Sequence, residues 1–236
     1  MMAEEKPPMR IFLRNESYSV IGIIMDIIKI TDNISYIEAV EKPLSADVVI
    51  VQAEDIIWLY DVGSHPLIPS LIRNINIDNK DINVVLSHFH PDHIANLENV
   101  EYKNVYQGKY TYKYTHTGIV VEKAVYFGNK KTRIDILPFP SSHSKGSLAM
   151  LVDNRYLFVG DALYPKIKGS DKMYNVSILN EQIKLLKTLE ITHIMLSHRK
   201  PFAMKKEVVI MWLLDIYNKR NKNDAFILSL IHISEP

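Results

Sequence analysis

The chain has 236 residues, enough for one large domain or two small ones, with 47% apolar and 23% charged residues, a formal net charge of +1 and no cysteine. The near-neutral balance gives no global attraction for nucleic acid or an anionic membrane. Without cysteine, disulfides, thiolate zinc sites and cysteine nucleophiles are excluded, which suits a reducing compartment.

The start, MMAEEKPPMR, is charged and carries no apolar leader, so residues 1–9 read as a loose beginning and the protein as cytoplasmic. The most apolar early run, 20–30, is too short to span a bilayer and contains Asp26 and Lys29. Strand-like runs follow at 10–14, 17–24, 47–53 and 56–63, rich in β-branched and aromatic residues. Residues 66–75 predict a helix opening with proline, and 82–88 a buried strand. A short helix is expected at 94–99. Further strands are read between 101 and 140, including GIVVEKAVYF and RIDILPFP.

Residues 147–161 have the shape of a hairpin around Asp153-Asn154. The clearest amphipathic helix is 177–190, with apolar residues at 179, 183, 186 and 189 and Ser177 as its cap. A buried strand at 192–198 and a helix at 205–220 complete the pattern. Strands fall in two sets with helices after each, which predicts an α+β fold, a four-layer αββα sandwich over one domain, rather than a Rossmann-like sheet. The tail from about 226, FILSLIHISEP, follows a polar stretch with no obvious place in the core. Its wording resembles translated sequencing-adapter read-through, and no role is assigned to His232.

The chemistry concentrates in LSHFHPDHIANL. His88, His90, Asp92 and His93 put four metal-ligand side chains into six positions, using a third of the chain's nine histidines. Pro91 argues against a regular helix or central strand through the cluster, so the segment reads as a loop at a strand end that turns its side chains towards one point. A solvated polar loop is the plainer alternative. Four ligand types so close together favour metal. His143, Asp161 and His198 each follow a predicted strand, and strand ends of one sandwich gather along one edge. Seven ligands are enough for two ions.

These residues resemble the metallo-β-lactamase superfamily, whose pattern is an HxHxDH loop followed by a histidine, an aspartate and a final histidine, each after a strand. The resemblance covers roughly residues 10–200. It implies that His88, His90 and His143 hold one zinc, that Asp92, His93 and His198 hold a second, and that Asp161 bridges the two. Asp61 matches an aspartate that supports the metal loop by hydrogen bonding; a plain turn or capping role explains it equally well.

Two metals roughly 3.5–4 Å apart share a water and lower its pKa. The implied reaction is attack by metal-held hydroxide on a small ester, lactone or thioester, with Asp92 as a proton shuttle. Phosphodiester cleavage by a nuclease of the same superfamily is the rival, and a non-catalytic binding module that keeps the fold is a third reading. Flavin-linked di-iron members place a carboxylate where His90 stands, which disfavours oxygen reduction. Asp161 replaces the cysteine of a thiol-type β-lactamase, which disfavours drug hydrolysis.

Tyr164, in Asp161-Ala-Leu-Tyr164, matches an Asp-x-x-Tyr arrangement of quorum-signal lactonases and is either an oxyanion donor or a packing residue. Residues 101–116 hold five tyrosines with interleaved lysines, a pattern that grips single-stranded nucleic acid. Tyr110, Tyr112 and Tyr114 alternate as on one strand face, which a solvated or homodimer-facing strand explains more simply, and the nuclease-specific insertion domain is absent. The expected partner is a small molecule. Without motif context, His193 is read as core, and His65 and His116 as surface or pocket rim.

Overall fold

Alternation along the early strands sets the layers. In the computed structural model, which describes residues 10–11, 25–128 and 131–228, Val48–Gln52 pairs antiparallel with Ile56–Tyr60. Val49, Val51, Trp58 and Tyr60 face one core, while Val48, Ile50, Ile57 and Leu59 face another. A strand buried on both faces reads as an unbroken apolar run, which is how these segments look in the sequence.

They belong to an eight-stranded sheet whose strands lie in chain order: Arg10–Ile11, Ile27–Lys29, Ile34–Ile37, Val48–Gln52, Ile56–Tyr60, Asp81–Val85, Asn104–Gln107 and Ile119–Val120. A six-stranded sheet follows, also in chain order: Val125–Gly128, Arg133–Pro138, Leu148–Val152, Tyr156–Phe158, His193–Met195 and Ala203–Lys205. The two sheets share a core of Tyr36, Trp58, Tyr60 and Val85 against Ile134, Met150, Phe158 and Met195.

Among the described residues five α-helices occur: α1 (Ile68–Ile75), α2 (Pro91–Ile94), α3 (Lys109–Thr115), α4 (Val176–Thr188) and α5 (Lys206–Asn218). α1 lays Ile68 and Ile72 on the outer face of the first sheet. α4 and α5 cover the outer face of the second with Leu179, Ile183, Leu186, Val209, Leu213 and Ile216. Each such side chain contributes about 1.5–3 kcal/mol when fully buried, so packing rather than propensity holds these helices. The result is the expected αββα sandwich. Asp153 and Asn154 take φ 54° and 52° and turn the expected hairpin between Leu148–Val152 and Tyr156–Phe158.

Several local expectations are corrected. Residues 91–94 form one helical turn, because proline at the first helical position loses no needed hydrogen bond. The helix expected at 94–99 is instead the end of α2 followed by a 3-10 turn at Leu97–Asn99. α4 is capped by Asn175, whose side chain accepts from Ile178 N at 3.0 Å, two residues earlier than the expected cap Ser177. The tyrosine run is the helix α3, not a strand. His193 is half-buried at the solvent-facing start of its strand and stacks on Tyr156, while His65 is buried and accepts a hydrogen bond from Leu67 N at 3.2 Å.

Phe226–Leu228, expected to lack a place, pairs with Asp171–Asn175 and buries Ile227. That three-residue strand joins Lys166–Lys168 and Asp171–Asn175 in a small third sheet. The strand read at 17–24, the loose start at 1–9 and His232 lie outside the described residues. No helix of the described residues is long and apolar enough to cross a membrane.

Candidate metal centre

Four strand ends deliver the candidate ligands to one edge. Ile56–Tyr60 runs parallel to Asp81–Val85, and Tyr156–Phe158 runs parallel to His193–Met195, so each pair releases its chain on the same side. Asp61 and His88 leave the first sheet there; Asp161 and His198 leave the second. Hydrogen bonds staple the sheets together at this edge. Leu148 N donates to Ser87 O at 2.8 Å, and the Tyr60 hydroxyl donates to Leu148 O at 2.7 Å.

All seven ligand residues expected from the sequence meet here. His88, His90, His143 and Asp161 form one group, and Asp92, His93, Asp161 and His198 a second; within each, one donor atom per residue lies within 4.8 Å of the others. Asp161 is common to both. His143 Nε2 sits 3.1 Å from His90 Nδ1, His93 Nε2 3.3 Å from Asp161 Oδ2, and His198 Nε2 3.0 Å from Asp92 Oδ2. His88 and His93 form a buried floor, while the Asp92 side chain, 14% exposed, faces the opening.

Outer hydrogen bonds fix which nitrogen points inward. Ser87 Oγ lies 2.9 Å from His88 Nδ1, and Asp61 Oδ2 lies 2.8 Å from His93 Nδ1, leaving both Nε2 atoms directed at the cluster. Asp61 Oδ1 also accepts from Ser87 N at 2.7 Å. One carboxylate thereby holds both ends of the His88–His93 segment, the supporting role expected of Asp61.

The residues fit metal. His88 Nε2 and Asp161 Oδ1 are buried with no hydrogen-bond partner, an expensive arrangement unless a cation satisfies them. Burial, reinforced by neighbouring imidazoles, lowers the pKa of His88 and of His90, so both offer neutral nitrogen. Burial also opposes charge on His93, but Asp161 and Asp61 outweigh it and raise its pKa. Asp161 shows the converse. Burial alone would raise it, and the surrounding histidines, His93 first, hold it well below the usual carboxylate range.

Two residues beyond the sequence reading complete the edge. Asp47, buried at the start of Val48–Gln52, accepts from His198 N at 2.9 Å and from Ser197 Oγ at 3.1 Å. Its remaining oxygen accepts from Ala39 N at 3.0 Å. Burial raises its pKa against these bonds. A carboxylate opening an otherwise apolar strand was its signal. Ser197 had one too: the tripeptide Leu-Ser-His stands at both strand ends, 86–88 and 196–198.

His198 has φ 60° and Asp61 φ 62°, backbone that persists only where its surroundings over-determine it. Tyr164 is 3% exposed, and its hydroxyl donates to Ser197 O at 2.7 Å. A cavity of about 490 Å³ lined by Arg73, Asn76, Asp81 and Lys103 lies at the opposite strand ends and contains none of these ligands.

No protein-family model and no curated protein matches the chain. Solved structures do. A metallo-β-lactamase from Pontibacter korlensis is 13% identical with a TM-score of 0.62, over 84% of this chain and 100% of that one. The flavodiiron protein from Giardia intestinalis is 12% identical with a TM-score of 0.62, over 84% of this chain and 60% of that one. Rubredoxin oxygen:oxidoreductase from Desulfovibrio gigas is 13% identical with a TM-score of 0.63, over 84% of this chain and 63% of that one. Hydrolase and di-iron names thus stand side by side, and the likeness leaves the metal open. The layers, the strand-end geometry and these likenesses agree: the chain has the metallo-β-lactamase fold, with clustered histidines and aspartates able to bind metal at its edge.

Proposed function

We propose that the chain is a hydrolase with a dinuclear zinc centre, acting on a small ester, lactone or thioester. The observation that carries the reading is the pair of buried, unpartnered atoms, His88 Nε2 and Asp161 Oδ1, within two donor groups that share Asp161. His88, His90 and His143 would hold one ion, Asp92, His93 and His198 the other, with Asp161 between them. When bound, two such ions supply a water acidic enough to attack as hydroxide near neutral pH. A set of five histidines and two aspartates, with no sulfur and no glutamate in the loop, suits zinc.

The chain's own residues supply the rest. The floor of His88 and His93 keeps bulk water from the inner side, so substrate enters past Asp92, His90 and His143. Asp92 stands at that mouth with Oδ2 on His198 Nε2, placed to take a proton from the attacking water and return it to the leaving group. Asp61 and Asp47 hold His93 and His198 in place and do not touch substrate.

A second reading, cleavage of a phosphodiester, is favoured by the tyrosine- and lysine-bearing helix α3 beside the site. A panel of lactone, thioester, carboxylic ester, phosphodiester and β-lactam substrates tests both readings. Turnover of a carbonyl ester that disappears on chelation and returns with zinc supports the first; turnover of the phosphodiester alone selects the second. A metal-loaded protein inert on the whole panel contradicts the hydrolase reading.

A further inference from the structure

α3 is built into the wall of the metal site. Gly108, just before the helix, lies so close to Gly146 that an added Cβ would stand 1.8 Å from the Gly146 carbonyl oxygen. Gly146, three residues after His143, in turn meets Tyr110: a Cβ on it would lie 3.0 Å from the Tyr110 ring. At the other end of the helix, Tyr114 stacks on Phe89 with ring centroids 4.7 Å apart and planes 10° from parallel. Phe89 stands between His88 and His90, and its ring centroid is 5.2 Å from that of His90. α3 is therefore clamped to both loops that carry the first ligand group, and Tyr114 is two ring contacts from a metal-ligating side chain.

The helical period arranges what this wall presents. At roughly 100° per residue, Thr111 points inward, and it is fully buried. Lys109 and Lys113 share the middle of the exposed arc, with Tyr110 and Tyr114 on one flank and Tyr112 on the other. All three tyrosines are exposed, at 39%, 39% and 61% for Tyr110, Tyr112 and Tyr114. Lys113 Nζ lies 5.0 Å from the centre of the Tyr110 ring, which keeps that ammonium beside an aromatic face. The helix carries no acidic side chain, and exposed Lys145 follows His143 by two positions. Exposed rings flanking fixed positive charge match a planar base joined to phosphate, the combination that single-strand binding surfaces use. A solvated strand would need no such clamping, and α3 is not a strand.

We propose that α3 is the substrate-recognition wall of the site and binds a nucleotide: the base stacks on Tyr114 or Tyr110, and the phosphate meets Lys109 and Lys113. The nucleotide is the handle of a hydrolysable ester or one unit of a single strand. That it leads to cleavage rests on the hydrolase reading; binding itself does not.

The test is a set of equilibrium titrations of the purified 236-residue chain, zinc-loaded and after chelation, with adenosine monophosphate, adenosine, inorganic phosphate and a hexathymidylate strand. At least one nucleotide ligand should bind tenfold or more tighter than adenosine or phosphate, and should still do so after chelation. The hexamer exceeding the mononucleotide points to a single strand; the reverse points to a free nucleotide. Tyr114→Ala should weaken binding about tenfold, Tyr114→Phe about twofold at most, and Lys109→Gln with Lys113→Gln about tenfold, while Tyr126→Ala, an exposed tyrosine elsewhere, should have no effect.

Binding no tighter than adenosine, binding abolished by chelation, or equal losses at Tyr114 and Tyr126 would overturn the proposal. Nucleotide binding without turnover of any panel substrate leaves α3 in place and removes the hydrolase reading. Turnover without nucleotide binding does the opposite.

Discussion

The Asp47 carboxylate accepts a hydrogen bond from the backbone N–H of His198 at 2.9 Å, across 151 positions of sequence. One residue from the first sheet thus fixes a candidate ligand of the second. The bond also explains how His198 keeps a left-handed backbone that a histidine seldom adopts.

Asp47→Ala should release His198 and lower metal affinity at the second group by roughly 10–100-fold, the usual effect of losing a residue that orients a ligand. The first group should keep its ion. Competitive chelator titration resolves the two steps, and uniform loss of both ions would show that Asp47 merely supports folding.

Asp61→Ala should act from the other sheet. It removes the 2.8 Å contact to His93 Nδ1 and the acceptor for Ser87 N. Metal affinity should again fall roughly 10–100-fold. Asp61→Asn should recover part of it, since the two contacts use different carboxylate oxygens and the amide keeps only one of them as an acceptor. Full activity in Asp61→Ala would reduce the residue to a turn former.

Metal affinity should rise with pH. In the metal-free chain burial pulls the His93 and His198 pKa values down, but Asp161 with Asp61 and Asp92 respectively outweighs it and raises both. A metal ion bound there must displace those protons, so binding of zinc should release protons into the buffer, measurable by calorimetry in buffers of different ionisation enthalpy. For stability without metal, the raised His93 and His198 contribute fully below about pH 6.5 and lose that contribution as pH climbs through their folded values. His88 and His90, lowered by burial, act oppositely and weaken the fold as pH falls below about 6.5. Asp161 adds a further loss below about pH 4. A metal-free melting temperature that rises steadily from pH 5 to 9 would contradict this assignment.

Tyr164→Phe removes the hydroxyl that donates to Ser197 O. A hydroxyl has one proton, so serving as an oxyanion donor requires breaking that bond. The geometry predicts a loss of about 1 kcal/mol in stability and a change in kcat well below the hundredfold cost of losing an oxyanion donor. A hundredfold drop in kcat on an ester substrate, with stability unchanged, would restore the donor role.

The convergence of the seven candidate ligands was legible because they stand at or just after strand ends, which are marked in sequence by apolar runs that stop at polar residues. His143, Asp161 and His198 needed only that rule and the HxHxDH spacing. Asp47 was marked only as a carboxylate opening an apolar strand; its partner, His198 N, lies across the sheets, and no local pattern names that partner. The tyrosine run misled because Tyr-Thr alternation has the strand period; the clamp between Gly108 and Gly146 and the Tyr114–Phe89 stack decide for helix, and both are tertiary. Pro91 misled for a simpler reason, since it blocks a helix interior and favours a helix start.

Metal stoichiometry by elemental analysis, measured on the wild-type chain and on Asp161→Ala and His198→Ala, tests the central claim most directly. The account predicts about two zinc ions per wild-type chain, close to one in His198→Ala, and retention of fewer than one in Asp161→Ala because both groups lose a ligand. One tightly held ion in the wild type, or two in Asp161→Ala, would contradict a centre shared across Asp161.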